Sequence, residues 1–161
     1  MIVRAATAAD LPFLQAMLYE TATWRPEAQP PVETVLADPH VARYLHDWGR
    51  LGDAGVIGEE ADRPVGAAWF RLFPADDPGY GFVAPDVPEL SIGVGPESRG
   101  RGIGTRVLEA LVDVAREGGY RAISLSVETD NPARRLYERA GFVRVADEGD
   151  AWTMLLEFRP S

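Results

Sequence analysis

The chain contains no cysteine and no lysine; all 16 of its basic residues are arginine. Without cysteine there are no thiol nucleophiles, disulfides or thiolate-bound zinc. Without lysine there is no Schiff-base catalysis and no Walker A lysine for phosphate. Histidine is scarce as well. His40 and His46 are the only two, and a spacing of six sets them on different faces of a helix. They match neither H-E-x-x-H nor another metal pair, so no metal is expected. The longest uninterrupted apolar stretches run to about six residues, as at 65–70, whereas a spanning helix needs about 20. The first residues include Arg4 and Asp10 and have no apolar signal core. These features lead us to expect a soluble, cytoplasmic protein that has no membrane partner.

A length of 161 residues suits one ordinary domain, spanning 1–161. Hydrophobic residues at 46% and charged residues at 25% are a folded, globular composition. The formal charge of −9 argues against a nucleic-acid partner. Its distribution is uneven. Residues 95–144 hold nine arginines and seven acids, while the remainder holds seven arginines and eighteen acids. One segment therefore suits an anion and the rest repels one. Excess acid on a surface also serves solubility alone.

The periodicity reads as α+β. A short strand at 2–5 precedes a helix capped by Thr7 or Asp10, with Pro12 in its first turn. A three-proline loop follows from 24 to 31, then a helix over 32–48 broken at Asp38-Pro39. Strands are expected at 56–60 and 65–73, and a long loop with four prolines at 74–88. Leu90, Ile92 and Val94 alternate with Glu89, Ser91 and Gly93 as a strand. A helix from Ile103 stops at Gly118-Gly119. Ile123, Leu125 and Val127 alternate with Ser124, Ser126 and Glu128 as the next strand. Asn131-Pro132 starts a helix that Gly141 closes, and two strands finish the chain.

The densest signal is Arg99-Gly100-Arg101-Gly102-Ile103-Gly104-Thr105, between a strand and an amphipathic helix. A helix start offers free N–H groups and partial positive charge. Glycines let an anion approach the backbone, and arginines add forked donors. The same residues also suit a plain glycine-rich helix start carrying two solvated arginines. The spacing is neither the Rossmann fingerprint nor Walker A.

The pattern Arg99-x-x-Gly102-x-Gly104 after Ser91-Ile92-Gly93-Val94 resembles the acetyl-CoA motif of the GNAT superfamily of N-acetyltransferases. The resemblance continues through Val127, Asn131, Ala133, Leu136-Tyr137-Glu138 and Gly141-Phe142. It is close over residues 88–145 and extends to 1–88 only in element order. It implies a mixed, splayed sheet flanked by helices, with CoA in the opening between the strands at 89–94 and 122–128. Pantetheine would pair with Ile92 and Val94, with Gly93 permitting its close approach. The pyrophosphate would lie on Arg99, Gly100, Arg101, Gly102, Gly104 and Thr105. The Val94 N–H would polarise the acetyl carbonyl. The absence of cysteine and lysine fits direct attack by an amine on the thioester; five serines remain, none in G-x-S-x-G and none with an evident paired histidine.

Asn131 is the only asparagine. It suits a helix cap, and the resemblance makes it a pantetheine contact; one amide can do both. Tyr137 suits a buried aromatic, and the resemblance makes it the proton donor to the departing thiolate. Glu89 is the candidate base, acting directly or through water, with Glu59 and Glu60 as rivals. The implied reaction is acetyl transfer from acetyl-CoA to a small-molecule or peptide amine. A cationic acceptor is expected from the acids Asp76, Asp77, Asp86 and Glu89. The rival is an amino acid whose carboxylate meets Arg25, Arg43 or Arg71. A CoA-binding sensor without catalysis is the alternative class. The oligomeric state stays open, homodimers being common in the family.

Overall fold

The computed structural model describes residues 1–159. Seven strands form one sheet in the order β1-β2-β3-β4-β5-β7-β6. They are β1 (Ile2–Ala5), β2 (Ala54–Glu60), β3 (Arg63–Arg71), β4 (Glu89–Val94), β5 (Ala122–Glu128), β6 (Val143–Asp147) and β7 (Ala151–Glu157). Every neighbouring pair is antiparallel except β4 and β5. A parallel pair needs a crossover, and α4 (Ile103–Glu117) supplies it. The remaining helices are α1 (Leu11–Ala22), α2 (Val32–Ala37), α3 (Pro39–Ala42) and α5 (Ala133–Ala140). Among the described residues no helix is long and apolar enough to cross a membrane.

Strand alternation divides the core into two layers. Leu90, Ile92, Ile123, Leu125 and Val127 face α4, whose Val107, Leu108 and Leu111 are fully buried against them. On the other face, Ile57, Ala67 and Trp69 meet Leu14, Met17 and Leu18 of α1. Glu89, Ser91 and Gly93 of β4 therefore share the α1 face with Ser124, Ser126 and Glu128 of β5. The apolar stripe of α4 is the period-3.6 pattern expected from the sequence. The start of α1 is fixed by Asp10, which accepts the Thr7 N–H at 2.7 Å and a fork from Arg4 at 2.8 Å.

The helix expected over 32–48 is shorter than its pattern. It breaks at Asp38-Pro39 as expected, but α3 stops at Ala42 and turns continue to residue 49. The cause lies across the chain. Arg71 of β3 is buried, paired with Asp53 at 2.6 Å, and its Nη1 donates to the carbonyls of Arg43 and His46 at 2.9 and 2.7 Å. Carbonyls turned to a buried guanidinium are not available to a helical ladder.

Between β4 and β5 the sheet opens. Their register is a single pair, Glu89 with Ser124, and the Ser124 N–H donates to the Pro88 carbonyl at 3.0 Å. Beyond that point the two strands part.

Candidate active site

The parting leaves β4 with unused backbone groups. The Gly95 N–H points to β3, donating to the Val65 carbonyl at 2.9 Å. Alternate residues of a strand point the opposite way. The N–H and C=O groups of Ile92 and Val94 therefore face β5, where no strand pairs with them. A buried backbone row without partners calls for a ligand or water. These two residues border a cleft of about 480 Å³.

The floor of the cleft is the start of α4. Gly100 and Gly102 hold φ of +78° and +81°, and the space where a side chain would stand is open at both. Such φ values favour glycine, so the loop keeps its turn while leaving room for a ligand. The free N–H groups of the first helical turn and the positive end of the dipole meet that room. Gly104 and Thr105 line the cleft one step further along. On the β5 side, Asn131 accepts the Ala133 N–H through Oδ1 at 2.9 Å. Its carbonyl is spent on capping α5, which leaves its amide N–H groups for a partner in the cleft. Tyr137 of α5 reaches the same cleft. Burial pushes its hydroxyl above the ordinary tyrosine range, so it keeps its proton throughout the neutral range.

Of the expected residues, Ile92, Val94, Arg99, Gly100, Gly102, Gly104, Thr105, Asn131 and Tyr137 all border this cleft. Arg101 does not; its guanidinium is turned to Glu60 at 2.6 Å. Gly93 borders the cleft too, and it has a further role. A Cβ there would lie 2.7 Å from the Met17 carbonyl, so its missing side chain admits α1, on the face away from α4. Glu89 lies outside the cleft lining, at the vertex where β4 leaves β5. Glu59 is bonded to Arg4 and Glu60 to Arg101. Five bordering residues had no signal in the sequence: Glu20, Thr21, Trp24, Ser98 and Arg139. Trp24 arrives from the three-proline loop, and its indole N–H donates to Glu128 at 3.2 Å.

The family model described as the acetyltransferase (GNAT) family matches residues 17–142. This chain belongs to the GNAT family. The mycothiol acetyltransferase of Sanguibacter keddieii is 36% identical over 105 residues, covering 64% of this chain and 32% of that protein. The protein of the same name from Clavibacter sepedonicus is 30% identical over 156 residues, covering 84% of this chain and 51% of its own length. The chain thus spans between a third and a half of these curated relatives. A ribosomal-protein-alanine N-acetyltransferase from Brucella melitensis superposes with a TM-score of 0.70 at 26% identity, covering 98% of this chain and all of that one. The yncA protein of Salmonella typhimurium, solved with its cofactor acetyl-CoA, gives a TM-score of 0.73 at 23% identity over the whole of this chain and 95% of its own.

Within this GNAT chain the vertex of the splay holds a second polar cluster. Glu89 is 3% exposed. Its Oε2 accepts the Tyr44 hydroxyl at 2.6 Å, and the same hydroxyl accepts the Tyr80 N–H at 2.8 Å. Oε1 lacks a partner of ordinary geometry. Burial raises the Glu89 carboxyl to about 7, against the opposing pull of Tyr44, the Gly81 N–H and Arg43. Burial and the neighbouring carboxylate push the Tyr44 hydroxyl far up. Tyr44 therefore ties the segment after α3 and the loop before β4 to the base of β4. Ser124, the register partner of Glu89, is also buried, with its hydroxyl unpartnered. Sequence reasoning passed over Tyr44, since nothing local marks a tyrosine whose partners are 36 and 45 residues away.

Proposed function

We propose that this chain transfers an acetyl group from acetyl-CoA to an amine by direct attack in a ternary complex. The observation that carries this reading is the unpaired row at Ile92 and Val94, set beside Asn131, Tyr137 and the open glycine turn. The row offers amide donors and acceptors to an extended arm, and the turn offers an anion site. Acetyl-CoA would supply the acetyl group as a thioester.

The chain's own residues then divide the work. The Val94 N–H donates to the carbonyl oxygen on which negative charge develops. Asn131 and the Ile92 backbone orient the arm, and Arg99, Gly100, Gly102, Gly104 and Thr105 hold the phosphates. As the C–N bond forms and the C–S bond breaks, the Tyr137 hydroxyl donates to the leaving sulfur. Burial keeps it a hydrogen-bond donor and makes it a weaker acid than free tyrosine, so full proton transfer to a thiolate is uphill by more than the roughly 1.5 pKa units that separate free tyrosine from a free thiol. Glu89 takes the amine's proton. A strand rises about 3.3 Å per residue, so Glu89 stands roughly 10 Å along β4 from Ile92. It acts through intervening water.

The acceptor is a small-molecule or peptide amine. Two of the four acids behind the expectation of a cationic acceptor are otherwise engaged: Asp86 pairs with Arg121 at 2.7 Å, and Glu89 is buried. The preference for a cation then rests on Asp76 and Asp77. Of the arginines in the rival reading, Arg71 is locked to Asp53 and Arg25 to Glu128 and Asp130. The acceptor of the mycothiol acetyltransferases is not carried over to this chain, because the match covers only 32% and 51% of the two proteins' lengths.

Tyr137→Phe tests the mechanism. The ring stays buried and the hydroxyl is lost. Turnover should fall about 10²-fold or more with acetyl-CoA affinity unchanged. Unaltered turnover under chemistry-limited conditions would make Tyr137 a core residue only.

A further inference from the structure

The two arginines beside the open turn are already engaged by carboxylates. Arg99 Nη2 meets Oε2 of Glu20, at the end of α1, at 2.9 Å. Arg101 makes a fork with Glu60, at the end of β2, at 2.6 and 3.2 Å. Glu20 itself borders the cleft, so a fixed negative charge stands where a polyanion is to bind. Both pairs are largely solvated: the arginine side chains are 48% and 50% exposed, and their partners 21% and 33%. Exposed pairs of this kind are weak and add little to the fold. Arg99 precedes Gly100 and Arg101 separates it from Gly102, and the space beside both glycines is open.

We propose that Glu20 and Glu60 stand in for phosphate, holding Arg99 and Arg101 at the rim until CoA's phosphates displace them. The proposal rests on the acetyl-CoA reading above. A carboxylate and a phosphate compete for the same guanidinium fork. The exchange costs little, because each pair is exposed. It nonetheless sets a threshold. A ligand bringing phosphate alone must break the pair and face the Glu20 charge, with only the turn to hold it. A ligand that also lays an amide arm along Ile92 and Val94 gains contacts that offset the exchange. The two acids thus lower affinity for CoA and for free phosphates or nucleotides by a similar factor, and CoA makes up the loss through its arm. Arg101, outside the cleft lining, becomes a phosphate contact only after leaving Glu60.

Glu20→Gln and Glu60→Gln keep a hydrogen-bond acceptor for each arginine and remove the charge. Titrations with CoA, ADP and S-acetylpantetheine separate the contributions. ADP carries phosphates without the arm, and S-acetylpantetheine carries the arm without phosphates. Each variant should bind CoA and ADP about two- to fivefold more tightly than wild type. S-acetylpantetheine binding should not change. Tight wild-type CoA binding with no gain in either variant overturns the proposal and leaves the acetyl-transfer reading standing. An equal gain for S-acetylpantetheine also overturns it, since the substitution would then have opened the cleft rather than freed an arginine. A wild-type protein that binds no CoA would remove the acetyl-transfer reading and this proposal together.

Discussion

Glu89→Gln separates two consequences of one buried carboxylate. Glu89 is 3% exposed, and burial raises it from an ordinary 4.5 to about 7. Between those values the folded protein binds more protons at this site than the unfolded chain does. Its contribution is therefore fully present below about pH 4.5 and is lost as pH rises through about 7. The difference of roughly 2.5 pKa units corresponds to about 3 kcal/mol at most. Glutamine matches the shape, can accept the Tyr44 hydroxyl as Oε2 does, and carries no charge to bury. Urea denaturation at about pH 8 should show the variant more stable by up to about 3 kcal/mol, with the advantage gone near pH 4.5. Turnover should move the other way. A base replaced by an amide costs about 10²-fold or more in kcat, with CoA affinity unchanged, and removes the limb of the kcat/KM profile near pH 7. A variant no more stable at pH 8 would refute the account of the burial. Wild-type turnover would refute the assignment of the base.

Arg99→Ala should weaken CoA binding by about 1.5–3 kcal/mol through lost charge-assisted hydrogen bonds, with melting little changed because the side chain is exposed; calorimetry and a thermal scan check both. Gly93→Ala should destabilise the fold by about 1–3 kcal/mol, since its methyl group would meet the Met17 carbonyl at 2.7 Å; urea denaturation reads this. Tyr44→Phe leaves the Tyr80 N–H and Glu89 Oε2 without their partner. A loss of about 2 kcal/mol is expected, together with faster proteolysis in the loop before β4.

The half of the chain from β4 to α5 was legible because its determinants are local. The alternation of Glu89–Val94, the glycine turn, the stripe of α4 and Asn131 before α5 each announce their element within a few residues. Asn131, Tyr137 and the turn also lie within one continuous stretch, so their convergence followed from the resemblance. The first half was less legible because its structure is set across the chain. Arg71 stops the expected helix at the end of α3, from a strand 25 or more residues away. Trp24 reaches the cleft through a partner 104 residues on. Gly93 matches the pattern and borders the cleft, but no motif shows that α1 also packs against it. Arg99 and Arg101 stood out as candidate anion ligands by residue type, but a sequence cannot show that Glu20 and Glu60 already engage them.

The central claim is direct transfer of acetyl from acetyl-CoA to an amine, both bound at once. Initial-rate kinetics test it most directly, following free thiol while acetyl-CoA and an amine are varied together, across a panel of cationic, neutral and anionic amines and peptides. The account predicts amine-dependent thiol release, intersecting double-reciprocal lines and one N-acetylated product per thiol. Parallel lines with an acetylated protein intermediate would contradict direct attack, and CoA binding without thiol release across the panel would mark a sensor rather than an enzyme.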